Sequence, residues 1–224
     1  MLTQIKNKYK SDDISVCILG SVKEHRELTR SPVIFSKVSH YKLLDLQIDA
    51  IKNVFPKCKL FLTLPEIKKK LYKEIYGNIS VIENTQNQGN GLEIKMCLDQ
   101  IKSDRVLFVD SSCIFDEYTL IQLVGKNSCT IMNKKSQKNR QLVSSSGSSI
   151  LHHLSFGLPH QWSKILLLDN RELRILQGSY KSINDKMEFY ETVNLIIDKG
   201  GRINIMNHNR GLLGHVSKGD ICVF

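Results

Sequence analysis

The amino-acid sequence predicts an α/β fold with a mostly parallel central sheet that helices cover on both faces. First, short apolar runs rich in β-branched residues alternate with stretches of helical periodicity. Second, the run Ile14–Leu19 contains no charged residue and ends directly at Gly20, as a buried strand entering a loop does. Third, the periodic stretch 41–55 stops at Pro56, a residue type that ends helices. Together these observations indicate β-α-β units, which build parallel sheets.

The elements of the first half follow one another in the order β-α-β-α-β, with a further helix and strand behind them. The predicted strands cover residues 14–19, 59–64, 79–82 and 106–109. The predicted helices cover residues 41–55, 66–76, 92–101 and 118–124. Because parallel strands joined by helices end at one edge of their sheet, we expect these four strands to lie side by side. A ligand crevice is then expected at their carboxyl ends.

The second half of the chain has shorter elements and is richer in serine. Its predicted segments cover residues 129–132, 142–149, 150–156, 165–168 and 173–176, followed by the helix Phe189–Asp198. That helix stops before Gly200 and Gly201, as helices often do at glycine. We expect mixed, partly antiparallel strands in this half. No repeat or long linker divides the sequence, so we predict a single domain over residues 1–224.

The charge of the chain predicts an anionic partner. Its 224 residues carry a formal net charge of +10, which suits a nucleotide, a nucleic acid, an acidic glycan or an acidic protein. Aromatic residues make up only 7% of the chain and few of them lie among the lysines, which disfavours recognition of a nucleic-acid sequence.

Apolar patterning and cysteine usage predict a cytoplasmic protein with no membrane span. The apolar runs fall far short of the ~20 residues that a membrane-spanning helix needs. The N-terminus has charge but no apolar export segment after it. The six cysteines are scattered without a CxxC pair, as free thiols in a reducing compartment are. The sequence does not indicate an oligomeric state.

The loop after the first predicted strand, residues 20–37, is a candidate phosphate site. Backbone N–H groups and basic side chains at the carboxyl end of a strand can neutralise phosphate oxygens. The loop matches neither the P-loop pattern GxxxxGK[ST] nor the dinucleotide pattern GxGxxG. Its candidate phosphate ligands are Gly20, Ser21, Lys23, Arg26 and Lys37.

Several segments together resemble a known family, the sugar-nucleotide and phosphocholine-type nucleotidyltransferases with a GT-A-like fold. Lys37 and the segment KLLDLQIDAI at 42–51 resemble the family's "PK" and "PLLxxQIxAL", although the glycine-rich part of its first loop is missing. The segment 81–91 resembles the loop that holds base and ribose. LFVDSSCIFD at 107–116 resembles "LLLxGDxxFD", and GHVSKGDI at 214–221 resembles a second acidic motif.

The resemblance implies a nucleotide-binding half, 1–124, and an acceptor-binding half, 125–224. In such enzymes a phosphorylated small molecule, for example a sugar phosphate or phosphocholine, reacts with a nucleoside triphosphate and pyrophosphate is released. Lys37 and Arg26 would neutralise charge, and Asp110 would act in catalysis. Asp110 and Asp220 would hold Mg²⁺, a hard cation that prefers oxygen ligands. The implied nucleotide-binding residues are Leu19, Gly20, Ser21, Lys23, Asn84, Gly89 and Asn90.

Two residues of the second half are candidates for acceptor binding. Trp162 could form a wall of the acceptor pocket, or it could be a core residue as single tryptophans often are. Glu191 could orient the acceptor, or it could favour the N-terminal dipole of the predicted helix.

Three interpretations of function stay open because Ser112 and Ser217 stand at the family's two metal-binding aspartate positions. The first is an active nucleotidyltransferase in which the nearby Asp110 and Asp220 replace those carboxylates. The second is a catalytically degenerate relative that binds a nucleotide or a protein partner. The third is a glycosyltransferase that uses a sugar nucleotide, which the absence of the usual DxD pattern disfavours. Asp110 itself could be a metal ligand or a turn residue before Ser111.

Overall fold

The computed structural model describes residues 13–20, 37–38, 41–65, 79–84, 89–133, 143–146, 149–158, 160–209, 211–217 and 220–223. Within these ranges the strands are β1 (Ile14–Leu19), β2 (Lys37–Val38), β3 (Tyr41–Lys42), β4 (Lys59–Pro65), β5 (Ser80–Asn84), β6 (Arg105–Asp110), β7 (Cys113–Phe115), β8 (Cys129–Asn133), β9 (Val143–Ser146), β10 (His153–Phe156), β11 (His160–Leu168), β12 (Asn204–Asn207), β13 (Leu213–Ser217) and β14 (Asp220–Val223). The α-helices are α1 (Leu43–Val54), α2 (Asn90–Leu98), α3 (Glu117–Ile121), α4 (Asn170–Gly178) and α5 (Phe189–Asp198).

The four predicted parallel strands lie side by side in the order β6-β1-β4-β5, which confirms the predicted fold class. Every residue of β1 is buried, because helices cover both faces of the sheet at this strand. Val16 and Ile18 pack in one core cluster with Leu44 of α1, whereas Cys17 packs in a second cluster with Ile94 of α2. This alternation follows the two-residue period of a strand.

The second half adds antiparallel strands to the same sheet, as predicted. β11 runs antiparallel to β6, with Ile165 opposite Val109, and β8 pairs antiparallel with β11. β12 then pairs parallel with β8, while β9 pairs antiparallel with both β10 and β11. Since β11 is antiparallel to β6, its N-terminal half lies at the carboxyl edge of the four parallel strands.

Some predicted boundaries differ from the observed ones. β11 begins at His160 and not at 165, because the residues at 160–164 are mostly polar and the apolar run marks only the second half of the strand. Its pairing with β8 shifts register between Trp162 and Leu166. The predicted short segment 173–176 belongs to α4, which begins after Asp169, whose side chain accepts a hydrogen bond from the Arg171 N–H at 3.2 Å. The predicted helix 66–76 lies outside the described residues.

A small three-stranded sheet, β14-β13-β7, lies next to the end of β6. β7 follows β6 after the turn at Ser111 and Ser112, and His215 of β13 pairs with Cys113 of β7. The C-terminal segment therefore returns to the same edge of the main sheet. Within the described part of the chain, no helix is long and apolar enough to span a membrane.

Candidate functional site

The carboxyl ends of β1, β4, β5 and β6 meet at one edge of the sheet, which we call the carboxyl edge. It brings together Gly20, Thr63, Asn84 and Asp110, which come from four separate parts of the sequence. The Ser111 N–H donates to the Leu19 carbonyl at 2.9 Å and so holds the turn after β6 against the end of β1. The structure thus places Leu19 and Gly20 of the predicted nucleotide site beside Asp110.

Gly20 approaches β4 too closely for any side chain. Its N–H donates to Thr63 Oγ1 at 2.8 Å, and a Cβ atom at this position would collide with the Thr63 carbonyl oxygen. Only glycine allows the backbone to leave β1 in this way. The start of the candidate phosphate loop is therefore fixed against the neighbouring strand.

Asp110 is a buried carboxylate whose neighbours are on its own turn and on β11. Its Oδ1 accepts hydrogen bonds from the Ser112 N–H at 2.9 Å and from the Ser112 hydroxyl. The ammonium of Lys164 lies 3.7 Å from the same oxygen and donates to Ser112 Oγ at 3.4 Å. Asp110 is therefore both a turn-forming residue and one half of an ion pair. Asp110 is thus in direct contact with Ser112, which stands at one of the family's two metal-binding aspartate positions in the resemblance.

Lys164 reaches this site through an irregularity in β11. Its φ is +59°, a left-handed value that a residue with a side chain adopts at a cost. The residue lies inside the register shift between Trp162 and Leu166, so it occupies a β-bulge. The Cys113 thiol donates to the Ser163 carbonyl at 2.9 Å, which attaches the bulge to β7.

Gln47 of α1 holds the turn between β6 and β7 through hydrogen bonds to backbone carbonyl groups. Its Nε2 donates to the Cys113 carbonyl at 2.8 Å and also contacts the Ser111 carbonyl at 3.3 Å. The side chain is fully buried in an otherwise apolar helix face. The amide nitrogen thus satisfies carbonyl groups of the turn that carries Asp110, whereas Gln47 Oε1 is buried without a hydrogen-bond partner in the described part of the chain.

Glu93 of α2 lies fully buried behind the carboxyl edge. Its two carboxyl oxygens accept hydrogen bonds from Thr63 Oγ1 and from Asn90 Nδ2, each at 3.0 Å. Burial raises the pKa of Glu93 to about 8, because the charged form loses its hydration, and the negative charge of Asp110 adds to this rise. The hydrogen bonds from Thr63, Asn90 and Asn84 lower the pKa and offset part of the rise.

The predicted base and ribose residues surround this carboxyl group. Asn84 ends β5 and is buried beside Glu93, and Asn90 begins α2 with its amide on Glu93. Gly89 precedes α2 in extended conformation, where a Cβ atom would come within 2.7 Å of the Lys186 carbonyl oxygen. These residues therefore lie at the predicted edge, and their contact with a base or ribose stays a prediction.

The two candidate acceptor residues have other contacts in the structure. Trp162 is buried; its Nε1 donates to Thr130 Oγ1 at 2.6 Å and its ring lies 4.9 Å from that of Phe189. Glu191 caps α5, since its Oε2 accepts from the Glu188 N–H at 2.6 Å. Both placements agree with the structural alternatives of the sequence analysis, and a role in acceptor binding stays a prediction.

The remaining candidates are described only in part. Lys37 lies in β2, where its backbone pairs with Lys42 just before α1. Asp220 lies in β14, where its backbone pairs with Ser217, and the side chains of both lie outside the described part. Ser21, Lys23 and Arg26 lie outside the described residues altogether.

Sequence reasoning missed Lys164, Gln47 and Glu93. Gln47 gave a usable signal, because a glutamine on the apolar face of a helix needs buried partners. Glu93 gave a weaker one, because it reads as an ordinary polar position of an amphipathic helix. Lys164 gave none, since its left-handed backbone cannot be recognised from the residue type.

The described side chains at the carboxyl edge do not fit a divalent cation. In the parts of the chain that the structure describes, no three His, Cys, Asp or Glu side chains are grouped to hold a metal ion. The Oδ1 of Asp110 is already bonded to Ser112 and faces the ammonium of Lys164, which would repel a second cation. The predicted Mg²⁺ site that includes Asp220 stays a prediction.

Comparison with known proteins gives matches in structure and none in sequence. No family model and no curated protein matches the chain. The inositol-1-phosphate CTP transferase from T. maritima superimposes with a TM-score of 0.74 at 13% identity, covering 93% of this chain and 91% of the other. The CTP:phosphocholine cytidylyltransferase from Streptococcus pneumoniae gives 0.67 at 13%, covering 92% and 94%.

A protein described as a putative glucose-1-phosphate thymidylyltransferase from Bacillus anthracis also superimposes. Its TM-score is 0.68 at 10% identity, covering 92% of this chain and 89% of the other. The likeness extends over nearly the whole chain in all three cases, while the identities are too low to carry residue roles across. The chain therefore has the GT-A-like fold of nucleotidyltransferases.

Proposed function

We propose that the chain binds a nucleoside triphosphate at the carboxyl edge and transfers its nucleotidyl group to a phosphorylated small molecule. A phosphate oxygen of the acceptor attacks the α-phosphorus and forms the new P–O bond. The bond from the α-phosphorus to the bridging oxygen of the β-phosphate breaks, and pyrophosphate leaves with that electron pair. The observation that carries the proposal is the meeting of Gly20, Asp110 and Lys164 at one edge of this fold.

The chemistry asks the protein mainly for positioning and for neutralisation of negative charge. The close approach of Gly20 to β4 fixes the point at which the candidate phosphate loop begins. Lys164 supplies a positive charge next to this point, and Lys37 and Arg26 are the further candidates. Asp110 orients Lys164 through their ion pair.

The substrates to test first follow from the structural neighbours. Their names describe transfer from CTP, transfer of a thymidylyl group, and the acceptors inositol 1-phosphate, phosphocholine and glucose 1-phosphate. We propose an acceptor of this class, a small molecule with a single phosphate group. Such an acceptor suits a chain with a net charge of +10, because both substrates are anionic.

A pyrophosphate-release assay over a matrix of nucleoside triphosphates and these three acceptors tests the proposal. We expect one pair to react, and Asp110→Asn to lower kcat/KM at least about tenfold, a loss of about 1.4 kcal/mol of transition-state stabilisation. Asp104→Asn is the matched control, because Asp104 is exposed near the opposite end of β6 and contacts Asn170. Equal losses in both variants would contradict the role of this edge.

A second candidate function is nucleotide binding without transfer. It is favoured by Ser112, which stands where the resemblance expects a metal-binding carboxylate and which bonds to Asp110. In that case a triphosphate raises the melting temperature, since a ligand of the folded state stabilises it, but no substrate pair releases pyrophosphate. Turnover with any pair would reject this alternative.

A further inference from the structure

We infer that the ammonium of Lys164 is the fixed cation of the phosphate site, in the place beside Asp110 where the resemblance predicts Mg²⁺. The consequence is a triphosphate site that works without a divalent cation. The inference rests on the proposed function as far as the nucleotide is concerned. The role of Lys164 towards a polyphosphate can be tested apart from it.

The hydrogen bonds around Asp110 run from Lys164 through Ser112 to one carboxylate oxygen, Asp110 Oδ1. Lys164 Nζ donates to Ser112 Oγ at 3.4 Å, and the Ser112 hydroxyl donates to Asp110 Oδ1. The ammonium also lies 3.7 Å from that oxygen. A magnesium ion held by this carboxylate, at an Mg–O distance of about 2.0–2.1 Å, would lie close to the ammonium of Lys164 and be repelled by it. The carboxylate of Asp110 thus already has a cation beside it.

The backbone of β11 is shaped for this position of the lysine. A φ of +59° is uncommon for a residue with a side chain, and it occurs here inside a β-bulge. A bulge changes the direction in which a side chain points. A strained backbone conformation persists only where contacts with surrounding residues stabilise it. Here the surroundings include the Cys113 thiol, which donates to the Ser163 carbonyl next to Lys164.

The exposure of the two charged groups is unequal. The side chain of Lys164 is 27% exposed, whereas that of Asp110 is 7% exposed. An anion that approaches the edge therefore meets the lysine, while the carboxylate lies behind it and is shielded. Asp110 and Ser112 are positioning residues for the ammonium in this arrangement, and Lys164 is the residue that contacts phosphate.

Calorimetric titrations with sodium tripolyphosphate and with CTP, each in EDTA and in Mg²⁺, test the inference. The proteins are the wild type, Lys164→Met, Lys164→Gly, Lys164→Arg and the control Lys126→Met. Lys126 is exposed at the opposite end of β6 from Asp110, where its carbonyl accepts from Arg105, so the control removes the same charge away from the site. Glycine tolerates a positive φ, so Lys164→Gly keeps the test valid if Lys164→Met fails to fold.

We expect wild-type affinity for both anions to differ less than about threefold between EDTA and Mg²⁺. In EDTA, Lys164→Met and Lys164→Gly should weaken binding at least about tenfold, a large effect for one charge, while Lys164→Arg and Lys126→Met stay near the wild type. Wild-type binding that requires Mg²⁺, Lys164 variants that bind like Lys126→Met, or no binding of either anion would overturn the inference.

The two anions separate the inference from the proposed function. If tripolyphosphate binds through Lys164 as expected but CTP and the other triphosphates bind no better than tripolyphosphate, the inference stands and the nucleotide function fails. If CTP binds tightly only with Mg²⁺ and independently of Lys164, the inference fails and the nucleotide function stands.

Discussion

Glu93 should make the stability of the fold depend on pH in a direction opposite to that of most carboxylates. Its pKa is raised from an ordinary value of 4.5 to about 8, chiefly by burial. Between these values the folded chain holds a proton on Glu93 that the unfolded chain has lost. The contribution of Glu93 to the free energy of unfolding is therefore fully present below about pH 4.5 and falls as pH rises towards 8. The limiting slope is about 1.4 kcal/mol per pH unit, which amounts to a few kcal/mol over the window.

The variant Glu93→Gln should remove this slope, because glutamine has the shape of the protonated acid and stays neutral. Its carbonyl can accept from Asn90 Nδ2, and its amide can donate to Thr63 Oγ1, which also accepts from the Gly20 N–H. We expect the variant to equal the wild type near pH 5 and to exceed its stability at pH 8. Urea unfolding followed by circular dichroism at pH 5, 6, 7 and 8 measures both quantities.

Glu117→Gln is the matched control, since Glu117 lies in the first turn of α3 and outside this network. It should leave the difference between pH 5 and pH 8 as in the wild type. If Glu93→Gln has the same pH slope as the wild type, or is the less stable protein at pH 8, then Glu93 is ionised in the fold and the reasoning from burial is wrong.

Three further outcomes are expected. Gly20→Ala should lower the free energy of unfolding by about 1–3 kcal/mol, because its Cβ collides with the Thr63 carbonyl oxygen; an unchanged urea midpoint would reject that contact. Gln47→Leu should cost about 1–3 kcal/mol, since the Cys113 carbonyl loses its donor in a buried site; a smaller loss than in the surface variant Asp49→Leu would show that the turn does not need the amide. Lys37→Ala should reduce the rise in melting temperature that a nucleoside triphosphate produces. Equal rises in the variant and the wild type would show that Lys37 does not contribute to the site.

The main sheet could be predicted because its signal is local. Ile14–Leu19 is apolar along its whole length, and a strand of this kind needs cover on both faces. The same reasoning predicts that Gly20 and Asp110 lie at one edge of the sheet, because each stands at the end of an apolar strand. The boundaries of β11 could not be predicted, because its first half is polar and its register shift depends on pairing with β8.

The centre of the candidate site could be predicted only in part. Asp110 is a candidate through its segment 107–116, which resembles an acidic motif of the family, but its partner Lys164 comes from a strand 54 residues further along the chain. Glu93 looks solvent-facing in the sequence, but in the fold its carboxyl group is buried against β4, where it accepts a hydrogen bond from Thr63 Oγ1 at 3.0 Å. Both facts depend on contacts between distant segments, which a single sequence does not encode locally.

The central claim is that a nucleoside triphosphate binds at the carboxyl edge, and hydrogen exchange of backbone amides with and without saturating triphosphate tests it most directly. Binding there should slow exchange in peptides that contain Gly20 and Ser112. Peptides around Ser128, at the opposite edge of the sheet, should exchange at an unchanged rate. Protection confined to the region of Ser128, or no protection anywhere at saturating triphosphate, would contradict the claim.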